Sequence, residues 1–416
     1  MKTRLNLILI VIVGLFLAAI LSRNGGVALL ALPFLGYLAI AITTLPQRTD
    51  LVASREISCR RTRTGAPVEM KIRLENRGDR VFRLMLRNEL TAKMQVLGQA
   101  PTQPICLPAG DVQEFSYSFC GVRGRYAWQH VKVEVGDCFG LFGRVVEIPA
   151  VAGLLVLPDD LHLKRFRFHP RPTLRTAGPN LSRQPGRGTD FWGVRQYYAG
   201  DPMRLIHWRM AARHPQRFFS KEFEREEMAD IGILLDGRAA VNLELADASL
   251  FEYGVQTAAA LGRAFLRSGN RVSLLVLGDR VTQVFPGYGK RHLARILDRL
   301  AACEPGDMVA FDTMQYFPVR QFPPGSVIVL ISPLRNRDIK TISRLRGDGY
   351  QLLVISPNPL EYAQGMSRSA WLAYRAARIE REIMLRRIRK LGVKVIDWRI
   401  HQPLETALNA HPGRDR

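Results

Sequence analysis

Cysteine is scarce and scattered in this 416-residue chain: Cys59, Cys106, Cys120, Cys138 and Cys303, an odd number with no CxxC pair. That excludes a disulfide framework and a cysteine-based zinc site, and it fits a reducing compartment. Acidic residues are also in short supply, 37 Asp+Glu against 60 Lys+Arg, which leaves a formal net charge of +23. A surplus of that size implies an acidic partner: nucleic acid, an anionic membrane surface or an acidic protein. No complete phosphate-binding loop is present. Gly287-Tyr288-Gly289-Lys290 lacks its spacing and reads as a hairpin end followed by a helix start. His207 and His214 have no partnered nucleophile nearby in sequence, and His162 and His169 lie on an Arg/Pro-rich stretch without a ligand set. No aromatic-interleaved basic platform accompanies the charge, which argues against nucleic acid.

Charge is missing altogether from two N-terminal stretches, Leu5–Leu21 and Val27–Leu45, separated by Ser22-Arg23-Asn24-Gly25-Gly26. Each is about the length that crosses the ~30 Å hydrocarbon core as a helix. The short turn predicts an antiparallel transmembrane hairpin over residues 1–47, with helices at about 5–22 and 27–45. A signal peptide is the competing reading of the first stretch, weakened by the second stretch that follows at once. Lys2 and Arg4 precede the hairpin, and Arg48, Arg55, Arg60, Arg61 and Arg63 follow it, with Arg23 alone in the turn. By the positive-inside rule both termini and the soluble part are expected in the cytoplasm. The basic stretch after the second helix would face anionic headgroups.

Residues 48–158 alternate with period two, as in Val68–Leu74, Gln113–Phe119 and His130–Val135, between turn clusters such as Asn76-Arg77-Gly78-Asp79. Short half-buried strands at this spacing predict an all-β sandwich. Residues 159–187 read as a linker or arm. From residue 229 to 416 apolar runs (Ile231–Leu235, Arg271–Leu277, Val327–Ile331, Leu352–Ile355, Val393–Asp397) alternate with helical patterns near 245–268, 290–303, 335–346 and 366–391. That predicts a mostly parallel sheet covered on both faces. The helix at 366–391 carries eight basic residues against Glu380 and Glu382; a solvated face, headgroup contact and docking of an acidic protein all remain open for it.

Between these regions, residues 188–228 concentrate both charge signs and aromatics. Gly200-Asp201-Pro202 reads as a helix start with Asp201 as its cap. On that helix Arg204 and Trp208 would share a face and make a cation–π contact. Asp201 is also expected to neutralise a buried arginine such as Arg204 or Arg213. The bland reading is a structural ion network, and the sharper one is a peptide or anion site lined by Arg204, Trp208 and Arg213.

This segment resembles the DUF58 family. Its pattern is matched by Gly188, Asp190, Arg195, Tyr197, Gly200, Asp201, Arg204, Ile206, Trp208, Ala212 and Arg213, and further agreement lies at Arg123-Gly124-Arg125-Tyr126 and Asp137-Cys138-Phe139-Gly140-Leu141-Phe142. The resemblance implies a multidomain, membrane-anchored bacterial or archaeal protein, expected in the cell membrane (the bacterial inner membrane). Its N-terminal transmembrane helical hairpin would be followed by a β-sandwich and an α/β von Willebrand A-like (Rossmann-like) domain. It also implies an adaptor or scaffold working with a MoxR-type AAA+ ATPase and a transglutaminase-like membrane protein. From the residues themselves no cofactor, no catalytic residues and no nucleic acid are expected. Alternatives are a hydrolytic or maturation enzyme using the Asp/Arg/His segment, or a nucleic-acid-binding protein. A metal-binding von Willebrand A domain carries D-x-S-x-S after its first strand. Here the stretch reads Asp236-Gly237-Arg238-Ala239-Ala240, with an arginine where a cation would be held and Asp236 as the one remnant. No aspartate follows directly at Ser332-Pro333-Leu334. Since Mg²⁺ demands several oxygen ligands in near-octahedral geometry, a metal-free domain is expected.

Overall fold

The computed structural model describes residues 2–46, 49–87, 90–98, 104–159, 161, 163, 180–214, 216–243, 249–306, 322–358, 360 and 367–409, with the backbone alone at 2–4, 82, 180–190 and 224–227. His162 and His169 lie outside them. The chain forms two compact units, residues 1–157 and 158–416.

The first unit begins with α1 (Lys2–Ser22), α2 (Gly25–Leu29) and α3 (Leu32–Thr43). Two stretches here, Leu5–Ser22 and Gly25–Thr43, are long and apolar enough to cross a membrane. The second is broken into two helices where a single one is expected. Pro33 cannot donate a hydrogen bond to residue 29 and its ring collides with that carbonyl, so the helix restarts with proline in its first turn.

Among the described residues the strands β1 (Leu51–Ile57), β2 (Arg61–Arg63), β3 (Val68–Asn76), β4 (Val81–Arg87), β5 (Met94–Leu97), β6 (Ile105–Leu107), β7 (Val112–Gly121), β8 (Gly124–Gly136) and β9 (Gly143–Leu157) follow. They form sheets ordered β1-β3-β7-β5 and β2-β9-β8-β4-β6. Both sheets contribute to one hydrophobic core. β3 (Val68–Asn76) shows why: Val68, Met70, Ile72 and Leu74 are buried while Glu69, Lys71 and Arg73 point away. In β8 (Gly124–Gly136) a bulge between Trp128 and His130 resets the alternation, so Tyr126 and Trp128 share the core with Val131, Val133 and Val135.

The turn after β8 holds the second family-like stretch. Asp137 is fully buried and its carboxylate accepts from the amides of Phe139 (2.9 Å) and Phe142 (2.6 Å). Gly140 has φ +71°, a left-handed conformation in which a side chain would be strained, so glycine is favoured there. The turn meets the apolar helices directly: Phe139 stacks on Tyr37 with ring centroids 4.1 Å apart, and the Thr44 hydroxyl lies 3.4 Å from the Cys138 sulfur.

In the second unit, β10 (Asn180–Gln196) and β11 (Phe219–Glu227) form an antiparallel two-stranded arm. The expected linker therefore gives way to strand from Asn180 onward, because β11 is present to pair with it. Beyond the arm, β12 (Asp230–Asp236), β13 (Arg271–Leu277), β14 (Val281–Gly287), β15 (Val327–Ile331), β16 (Gln351–Pro357) and β17 (Lys394–Trp398) form a sheet ordered β14-β13-β12-β15-β16-β17. All neighbours are parallel except β13 and β14.

Two separate cores lie on its faces. One is built with the helix at Leu250–Arg267, the helix at Lys290–Ala302 and the short C-terminal helix at Leu404–Asn409. The other uses the helices at Asp338–Gly347 and Arg368–Lys390. Strand β12 is buried along its whole length, as its unbroken apolar run requires.

Candidate functional site

The chain runs outward from β12 to β13 and β14 on one side, then returns to start β15 on the other. The crevice at the carboxyl ends of β12 and β15 is therefore a topological switch point, the usual ligand position in open α/β sheets. Asp236 ends β12 there. Gly237 follows because the backbone passes so close to Leu277 that a Cβ would lie 2.7 Å from its carbonyl oxygen. Arg238 then turns back over the strand ends, 5 % exposed.

Its Nε and Nη2 donate to the two oxygens of Asp236 at 2.9 and 2.7 Å, and its Nη1 and Nη2 donate to those of Asp338 at 3.1 and 2.9 Å. Both carboxylates are buried, at 1 % exposure. Ser332, just after β15, donates its hydroxyl to Asp236 at 2.6 Å. The same hydroxyl accepts from the amide of Leu334, a buried residue held in the left-handed region at φ +66°. Asn242 donates to the carbonyls of Asp236 and Arg238, and Asp338 also accepts from the amide of Arg335.

Burial by itself would depress the Arg238 pKa. The hydrogen bonds and charges of Asp236 and Asp338 outweigh it and hold the pKa above the ordinary arginine value. Arg238 is a fixed cation clamped by a dicarboxylate. The oxygens that remain of a metal site are already occupied by its guanidinium, and Mg²⁺ would have to displace it. The residues present do not fit a metal. Among the described residues no group of three or more His, Cys, Asp or Glu is placed to hold one.

A cavity of about 360 Å³ opens over this cluster, lined by Arg238, Arg335, Asn336, Arg337 and Asp338. Two further features were not foreseen in the sequence. Asp338 is a second carboxylate, so Asp236 is not the single remnant. Arg381 (7 % exposed) crosses the ends of β15 and β16, donating to Asp397 (2.8 Å), Ser356 Oγ (2.8 Å) and the Pro333 carbonyl (2.9 Å). The available signal was an acidic residue opening one helix, Asp338–Gly347, and a basic residue on the apolar face of another, Arg368–Lys390.

The motif segment behaves differently from expectation. Asp201 caps no helix: a single 3-10 turn (Met203–Leu205) follows, and α4 (Trp208–Ala211) begins only after His207, whose Nδ1 accepts from the Met210 amide at 3.2 Å. Asp201 is gripped by Arg195 of β10, through bonds of 2.7 and 2.8 Å. Arg195 also reaches Glu222 of β11 at 3.0 Å and lies over the Tyr198 ring at 5.4 Å. The Tyr198 amide and the Tyr197 hydroxyl donate to Asp201, across the turn at Gly200. Ile206 is buried and bridges to Ser220.

The expected partners of Asp201 are elsewhere. Arg204, Trp208 and Arg213 are all exposed, and no cation–π contact joins Arg204 to Trp208. Arg204 sits within the 3-10 turn, and the extended Ile206 intervenes before Trp208, so the spacing of a continuous helix does not apply. Gly188 and Asp190 lie in β10, where the backbone alone is described.

The Arg195 guanidinium, with a smaller contribution from the Tyr198 amide, holds the Asp201 carboxyl below its ordinary value of 3.8. A lowered folded-state pKa means the interaction is whole above the ordinary value and is lost as pH falls through the lowered one. Asp201→Asn removes the charge that Arg195 grips. The expected result is faster hydrogen exchange at the Tyr198 amide and earlier proteolytic cleavage within 197–206 at neutral pH, with the wild-type turn reaching the same state only in acid. Unchanged exchange in the asparagine variant would contradict this reading of the pair.

Residues 193–359 match the family model described as "Protein of unknown function DUF58". That segment belongs to the DUF58 family. It spans the exposed end of the motif arm and the sheet through β16, so it contains both the Arg195–Asp201 turn and the Arg238 cluster. No protein of curated function matches the chain in sequence.

Solved structures similar to parts of the chain include the CARDB domain of a Pyrococcus furiosus protein (15 % identity, 27 % of this chain and 94 % of that one, TM-score 0.19). Others are proximal thread matrix protein 1 of the mussel byssus (17 %, 31 % and 36 %, 0.22) and the cupredoxin domain of amoB from Nitrosocaldus yellowstonii (11 %, 30 % and 99 %, 0.21). At such scores none of them bears on the reading of this chain.

Proposed function

We propose that this DUF58 protein is a membrane-anchored adaptor whose α/β unit is a metal-independent, von Willebrand A-like protein-interaction domain. The reading places it in a bacterial inner membrane, with both termini and the soluble units in the cytoplasm. It acts there beside a MoxR-type AAA+ ATPase and a transglutaminase-like membrane protein.

What carries the reading is the division within the motif. Arg195 and Asp201 are used inside the arm to set its turn, while Trp208 is 62 % exposed and Arg204 and Arg213 point to solvent beside it in sequence. A rigid aromatic and planar cations held out on a fixed turn are the residue types that dominate protein interfaces. Phe191, Met203 and Phe218 of the same segment are exposed as well.

The test is a titration of purified full-length protein in detergent micelles with the MoxR-type ATPase. Saturable binding is expected, and Trp208→Ala combined with Arg204→Glu should weaken it by roughly 30-fold or more, as for hot-spot residues. No binding, or binding untouched by that double variant, would overturn the proposal.

A further inference from the structure

The helix Arg368–Lys390 is the most basic element of the molecule, and its two ends differ. Its C-terminal half is seated on the sheet through Arg381, Met384, Leu385 and Ile388. From Arg368 to Glu380 no residue is buried.

At 100° per residue, Trp371, Leu372, Ile379 and Ile383 fall within one 120° sector, opposite the seated face. All four are exposed, between 45 and 57 %. Arg368, Arg375 and Arg386 fall in the same sector, and the Arg375 guanidinium lies 4.8 Å over the Trp371 ring. Aliphatic and indole side chains interleaved with arginines suit the headgroup boundary of a bilayer. The apolar groups enter there, while arginine stems lie along them with their charges at the phosphates.

We infer that the outward face of this helix docks on an anionic membrane surface. The occupant follows from charge complementarity and from attachment: eight basic residues stand against two acidic ones over 366–391, on a chain whose apolar N-terminal helices hold it at a bilayer. The inference rests on that anchoring, not on the choice of protein partner. It gives the DUF58 unit a second, reversible lipid contact, which salt and lipid composition would regulate.

The experiment uses the full chain reconstituted in vesicles, with co-flotation confirming insertion of the anchor in every preparation. Vesicles are phosphatidylcholine alone or mixed with phosphatidylglycerol, with bromine on the acyl chains as a quencher. Subtracting the emission of Trp371→Phe isolates Trp371 from the other tryptophans. Quenching of the Trp371 component is expected in anionic vesicles, and its loss in zwitterionic vesicles or at 1 M salt. Arg368→Gln with Arg375→Gln should weaken docking by roughly 30-fold, since each removes one charge close to the surface. Floating protein whose Trp371 emission is unquenched in anionic vesicles would overturn the inference while leaving the anchor intact. Quenching equal in both lipids would equally overturn it, by removing the role of charge.

Discussion

Arg238→Met is expected to destabilise the α/β unit by roughly 3–5 kcal/mol, because it leaves two buried carboxylates facing each other with no cation between them. Methionine preserves most of the side-chain volume, so the loss reports charge and hydrogen bonding, not a cavity. The protein has two units and an apolar anchor, so a single global melt would mix their transitions. Hydrogen-exchange protection of the β12 and β15 amides reads the right unit.

The control is the triple variant Asp236→Asn, Arg238→Met, Asp338→Asn. It removes the charges on both sides and should recover much of the protection, because an unpaired buried charge is the costly species. Protection in Arg238→Met equal to wild type would mean the cluster is a surface ornament. Equal loss in single and triple variants would mean it acts through shape alone.

Arg238→Ser with Ala240→Ser is expected to turn a metal-indifferent domain into a metal-responsive one. It restores the D-x-S-x-S pattern after β12 and vacates the space between Asp236, Ser332 and Asp338. A cation that binds only the native state must stabilise it, by about 2.7 kcal/mol when present at 100 times its dissociation constant. The variant should therefore be weak in EDTA and regain protection in Mg²⁺ or Mn²⁺. A variant as stable in EDTA as the wild type, or deaf to both ions, would show that the guanidinium does not stand in a cation's place.

Much of this was legible in the chain. Strand periodicity located the two-sheet domain, and unbroken apolar runs located the parallel sheet, because each reflects whether one or both faces are covered. The arginine at the end of β12 was visible as a departure from a spaced pattern.

Its second partner was not. Asp338 is 100 residues away from Arg238, and only the adjacency of β12 and β15 brings the two together. Local rules misassigned Asp201 for a related reason. An Asp-Pro pair is a good helix start in isolation, but Arg195 at the end of β10 competes for the carboxylate with two charge-assisted bonds. The apolar length of the second N-terminal helix was read correctly, while the break before Pro33 follows from a missing donor that hydropathy does not register.

The most direct measurement is on the wild-type chain: β12 and β15 amide protection with EDTA and with excess Mg²⁺. With Arg238 as the resident cation, the two exchange profiles coincide. A rise in protection with Mg²⁺ in the wild type would contradict the account, because it would require a metal to bind where the guanidinium is held.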